Sequence, residues 1–83
     1  MKYQIVIEKP FLKYIKKQNK QEQERILKAI YKLPDGDTKP VQGRKGFYRL
    51  RVGDCRIIYT IDNGKYIICV VDAGNRGDVY KRY

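Results

Sequence analysis

Arg49, Arg51 and Arg56 stand on two short alternating segments, FYRLRV and CRIIYTID, separated by Gly53-Asp54. A guanidinium stays protonated at physiological pH and forks two N–H groups onto carboxylate or phosphate oxygens, so several on one surface suit an anion. A fourth, Arg76, follows in the glycine-flanked run Ala73-Gly74-Asn75-Arg76-Gly77, and Tyr80 comes next. The chain has no histidine, so proton transfer near neutral pH falls to Tyr, Lys, Cys or a carboxylate with a shifted pKa, and a histidine-pair ribonuclease is excluded. Cys55 and Cys69 are too few and too far apart for a metal cluster. They read as buried thiols of a reducing cytoplasm. No metal and no cofactor is expected.

What must position the arginines is a set of strands with definite turns. Val52-Gly53-Asp54-Cys55 has glycine first in a two-residue loop, the preference of a type II′ turn, and Asp62-Asn63-Gly64-Lys65 carries the Asn-Gly of a type I′ turn. The first sets Arg51 opposite Arg56, Leu50 opposite Ile57 and Tyr48 opposite Tyr59. The second sets Tyr59 opposite Ile68, Ile57 opposite Val70 and Arg56 opposite Val71. Alternation then gathers Tyr48, Leu50, Val52, Ile57, Tyr59, Ile61, Tyr66, Ile68 and Val70 on one apolar face, with Arg49, Arg51 and Arg56 on the other and no carboxylate among them. Cys55 and Cys69 fall out of register, against a disulfide. The last strand is expected to end at Val71 and Asp72, so that the following loop brings Arg76 and Tyr80 to the arginines. Like charges directly opposed weaken a strand pair by up to about 1 kcal/mol. Spacing alone leaves two readings open: an anion site, or an ordinary solvated sheet face.

Upstream, Tyr3, Ile5 and Ile7 alternate as a strand. Pro10 suits a first helical turn, and Phe11, Leu12 and Ile15 share a helical face with Lys13, Lys16 and Lys17 on the wet side. Asn19 and Glu22 have capping-box spacing for a second helix from about Lys20, whose stripe is Ile26, Leu27, Ile30 and Leu33 and which Pro34 and Asp35-Gly36 end. The two helices are expected as an antiparallel hairpin lying on the sheet. Asp35 to Gly46 reads as an irregular loop carrying the mobile cations Lys39, Arg44 and Lys45. The fold class is therefore α+β: an N-terminal strand, a two-helix hairpin and a three-stranded antiparallel meander, in one domain over 1–83.

The 83 residues hold 19 Lys and Arg against 9 Asp and Glu, a formal charge of +10. Such a balance points to a polyanion or an acidic protein partner. Up to residue 38 there are nine cations and five anions, and after it ten and four; the excess is larger in the strand-rich half. The N-terminal MKYQIVIEKPF alternates and carries charge, unlike a signal peptide or a membrane span, and a cytoplasmic location is expected.

The run YRLRVGDCRIIYTIDNGKYIICVVDAGNRGDVYKR resembles the RelE/ParE superfamily of toxins from toxin-antitoxin pairs, in the pattern Y-[RK]-[LI]-[RK]-x-G-x-x-R-[IV]-[IL]-Y, an apolar strand, then G-x-R-x-x-[VI]-Y. The resemblance implies a helical hairpin on a mainly antiparallel sheet and, in the RelE branch, a ribosome-dependent endoribonuclease that cuts mRNA. It implies Arg49, Arg51, Arg56, Arg76 and Tyr80 as the catalytic set; with arginine at the first two positions, base duty falls to Tyr80 or to the RNA and ribosome themselves, and stacking on a nucleobase is the alternative role of Tyr80. Lys39, Arg44, Lys45, Lys81 and Arg82 would bind neighbouring phosphates of RNA or ribosome. RelE-type toxins often carry Lys where this chain has Arg49 and Arg51, and His where it has Asn75. A RelB-like acidic antitoxin is the implied partner. ParE-like relatives, which poison DNA gyrase, and a domain that binds RNA or antitoxin without chemistry are the alternatives.

Overall fold

The computed structural model describes residues 3–33 and 35–75. Its elements run β1 (Gln4–Ile7), α1 (Lys9–Lys16), α2 (Lys20–Tyr31), β2 (Thr38–Pro40), β3 (Phe47–Val52), β4 (Cys55–Asp62) and β5 (Ile67–Asn75). The five strands form one sheet in the order β1-β5-β4-β3-β2, antiparallel except for β1, which lies parallel to β5.

Both helices pack on one face of this sheet. Pro10 opens α1, and Asn19 caps α2 by accepting the Glu22 N–H on its side-chain oxygen at 2.8 Å. Gln23 joins the two, its Nε2 donating to the carbonyls of Ile15 and Gln18 at 3.0 Å each, so the end of α1 finds a partner in the first turn of α2. The core holds Phe11, Ile15, Ile26, Ile30 and Leu33 from the helical side against Leu50, Val52, Ile57, Tyr59, Ile68 and Val70 from the sheet. Leu12, expected among them, is 40 % exposed, and the half-buried Tyr14 packs against the core in its place. No helix of the described residues is long and apolar enough to cross a membrane.

The first hairpin has the expected register: Arg51 faces Arg56, Leu50 faces Ile57 and Tyr48 faces Tyr59. The second does not. Tyr59 pairs with Val70 rather than Ile68, Ile57 with Ala73 rather than Val70, and Arg56 with Gly74 rather than Val71. Two causes act. Asn63-Gly64-Lys65-Tyr66 form a four-residue loop between Asp62 and Ile67, with the left-handed conformation at Tyr66 (φ 55°) instead of at Asn63 and Gly64. A β-bulge between Ile58 and Tyr59 then leaves Val71 as an extra residue on β5. Tyr66, expected on the core face, is therefore an exposed turn residue. β5 also runs three residues beyond Asp72, to Asn75.

Residues 35–46 are not wholly irregular either, because Thr38–Pro40 pairs with Leu50, Arg49 and Tyr48 of β3. Pro40, which has no N–H to give, sits on an edge strand, where proline is tolerated.

Candidate anion-binding face

The sheet face turned away from the helices carries the cations in two rows. Lys39 lies directly across from Arg49, and Arg49 from Ile58, which pairs with Asp72. In the next row Arg51 lies across from Arg56, and Arg56 from Gly74, which offers no side chain. Four cations from β2, β3 and β4 thus share one surface. Lys39, expected on a mobile loop, is held in the ladder.

The three arginines differ in freedom. The Arg49 side chain is only 17 % exposed, and its nearest carboxylate oxygen, Asp37 Oδ1, stands 3.7 Å from Nη1. That is an ion-pair separation, too long for a hydrogen bond. Its Nη1 is buried and has no hydrogen-bond partner among the described residues. A buried donor left unmatched costs roughly 1–3 kcal/mol, so the site is short of an acceptor oxygen at this atom. Arg56 is half-buried, and Nη1 donates to the Gly53 carbonyl over a long 3.4 Å. Arg51 is exposed. Neither Arg51 nor Arg56 forms an ion pair with the described residues.

Two carboxylates frame the face. Asp37 reaches Arg49 as above. Asp72, which simple alternation from Val70 would turn toward the helices, is carried by the bulge into the Arg49 row, against the expectation of no carboxylate there. It is buried, and its Oδ1 accepts the Ala73 N–H at 2.7 Å. Sequence reading missed Asp37 here and did not foresee the bulge that turns Asp72 to this face.

At the rim, Arg44 lies over the Phe47 ring at 5.8 Å, and Lys45 is exposed beside it. An arginine stacked on an aromatic is a surface on which a nucleobase can also stack. At the other end the Tyr14 hydroxyl donates to Asn75 Oδ1 at 2.9 Å, tying α1 to the last described residue. Arg76, Tyr80, Lys81 and Arg82 lie outside the described residues.

The cysteines are both free, Cys55 buried on the helix side and Cys69 only half-buried on the other. Burial pushes both thiols up, Cys69 to about 11 with help from Glu8, whose Oε1 accepts its S–H at 3.1 Å. A thiol held protonated is a poor nucleophile.

The family model for the ParE toxin of the type II toxin-antitoxin system parDE matches residues 5–80. No curated protein matches the sequence. Among solved structures, the archaeal RelE-RelB complex from Pyrococcus horikoshii is similar at 25 % identity and TM-score 0.76, over 94 % of this chain and 99 % of that one. The RelBE2 toxin-antitoxin complex from Mycobacterium tuberculosis matches at 17 % identity and TM-score 0.77, over 92 % and 100 %. A free mutant of the E. coli toxin RelE matches at 19 % identity and TM-score 0.75, over 99 % and 93 %.

Proposed function

The chain belongs to the ParE toxin family, within the RelE/ParE superfamily of toxin-antitoxin systems, and from that premise we propose that it is an mRNA endoribonuclease acting on the ribosome. The observation that supports this reading is the opposition of Arg51 and Arg56 on an outward face, without a counter-ion among the described residues and beside the unmatched Nη1 of Arg49. Sheet stability alone gains nothing from such a pair.

In this reading the substrate's 2′-OH attacks the adjacent phosphorus. The O2′–P bond forms and the P–O5′ bond breaks, giving a 2′,3′-cyclic phosphate and a 5′-OH end. The proton of the 2′-OH passes to a base, assigned to Tyr80, and the departing O5′ takes up one proton. Negative charge grows on the phosphoryl oxygens in the transition state, and preorganised guanidinium groups stabilise it more than they stabilise the substrate. Arg56 and Arg76 are assigned to the scissile phosphate. Arg49 and Arg51 hold that phosphate or orient the nucleophile. Lys39, Arg44, Lys45, Lys81 and Arg82 bind flanking phosphates. An acidic, RelB-like antitoxin would silence the toxin by covering this charge.

The test is cleavage of an mRNA on purified ribosomes. Arg56→Gln is expected to lower kcat by roughly a hundredfold, the scale of losing one transition-state donor. Cleavage should persist in EDTA and leave cyclic phosphate ends. Wild-type rates in both Arg56→Gln and Tyr80→Phe would remove the assignment. A second reading has one observation in its favour: the matching family model is that of ParE. Inhibition of purified gyrase in a supercoiling assay, with no mRNA cut, selects a gyrase inhibitor instead.

A further inference from the structure

Beyond the strands' outer face, a groove runs between α2 and the exposed end of β3. Arg25, Lys28 and Lys32 of α2 and its C-terminal cap line one wall and Arg51 to Gly53 the other, with Asp35 and Asp37 at one end. The three cations are three and four residues apart, the spacing that stacks side chains along one helical face. The Arg25 guanidinium lies over the turn: a Cβ on Gly53 would come within 2.5 Å of its Nη2. Glu22 already pairs with Arg25 at 3.3 Å. Lys28 and Lys32 are exposed and make no ion pair among the described residues.

We propose that this groove is a second RNA-binding surface, which takes the phosphate backbone of a folded RNA rather than its bases. The lining contains no aromatic ring on which a base could stack. Of its apolar members, Leu50 and Val52 are buried in the core and Ala29 packs against it. Arg25, Lys28 and Lys32 stand along one wall at the regular interval that the phosphates of a backbone need. Arg51 belongs to both the groove and the arginine face, so a backbone bound here continues onto the proposed nuclease site. The inference thereby rests on the nuclease reading for its biological meaning, though the binding itself can be measured without cleavage.

The experiment titrates the full chain with a 20-base-pair RNA duplex at several salt concentrations. Lys28→Gln/Lys32→Gln is compared with Lys16→Gln/Lys17→Gln, which removes the same charge from exposed positions outside the groove. The groove variant is expected to bind severalfold more weakly, with a slope of log K against log salt reduced by about two, one for each phosphate no longer neutralised. The control should keep most of both. Equal losses in the two variants would reduce the effect to net charge and overturn the proposal, as would an unchanged groove variant. Loss of binding to the co-expressed antitoxin with duplex binding intact would assign the groove to a protein and overturn it too. Wild-type protein that binds duplex through these lysines but cuts no mRNA would sink the nuclease and leave the groove standing.

Discussion

The two hairpins of the meander look alike in sequence and behave differently. In the first, Gly53 takes φ +58° and the two-residue loop closes β3 on β4 in the register its turn residues dictate. In the second, Asn63-Gly64 is the stronger hairpin signal by composition, yet the loop opens to four residues. The difference lies in what else touches the turn. Gly53 meets the flexible ends of the Arg25 and Arg56 side chains, which can move aside. The second turn borders β1: the Gln4 N–H donates to the Tyr66 carbonyl at 2.8 Å, the Tyr3 hydroxyl donates to Asn63 Oδ1 at 2.9 Å, and the Tyr3 and Tyr66 rings meet edge to face at 5.8 Å. Asp62 Oδ1 also accepts the Lys65 N–H at 3.2 Å. Interactions with a distant segment outweigh a local preference worth about 1 kcal/mol.

The largest expected effect comes from the bulge that follows the second turn. It places Ala73 in the core and Asp72 outside, and Ala73→Asp should cost about 3 kcal/mol or more as an unpaired carboxylate is buried. In a regular ladder residue 73 would lie on the opposite face, outside the helix-side core, so a loss under about 1 kcal/mol in urea unfolding would break the contrast. Gly53→Ala should cost about 1–2 kcal/mol, because a side chain there must adopt left-handed backbone. Asn63→Ala, which removes an exposed acceptor of Tyr3, should cost about 0.5 kcal/mol. If the Asn63 change costs more than the Gly53 change, the order of local and distant control is reversed.

A further effect is alkaline. The thiols of Cys55 and Cys69 and the phenols of Tyr14 and Tyr59 are all raised above their ordinary values, chiefly by burial. The folded chain therefore holds protons that the unfolded chain releases, and stability should be intact below about pH 9 and decline above it as Cys69 titrates toward about 11. Chemical denaturation at pH 7 and pH 10 checks the sign. A midpoint that rises with pH contradicts it.

The same contrast explains what the sequence disclosed. Short-range signals held: the Asn19 cap, the Gly53 turn, and the alternation that sends Leu50, Ile57 and Tyr59 inward. With them came the juxtaposition of Arg51 and Arg56, half of the candidate site. What was hidden depended on partners far along the chain. Thr38-Lys39-Pro40 is too short to alternate and becomes a strand only because β3 offers an edge. Asp72 changes face through a bulge that no turn residue announces. Asp37 meets Arg49 only once β2 is laid down.

The sheet order has a consequence in time. β5 is the last strand described and stands between β1 and β4, so residues 4–7 wait for residues 67–70 before they gain a neighbour. A chain emerging from N- to C-terminus can assemble β2, β3 and β4 early, but that partial sheet and the first strand stay unjoined until residues 67–70 have been made. Long-range parallel pairing of this kind is slow to form. A messenger that ends before the codons for Cys69 and Val70 would yield a polypeptide lacking the seam, with its first strand left without a neighbour in the sheet.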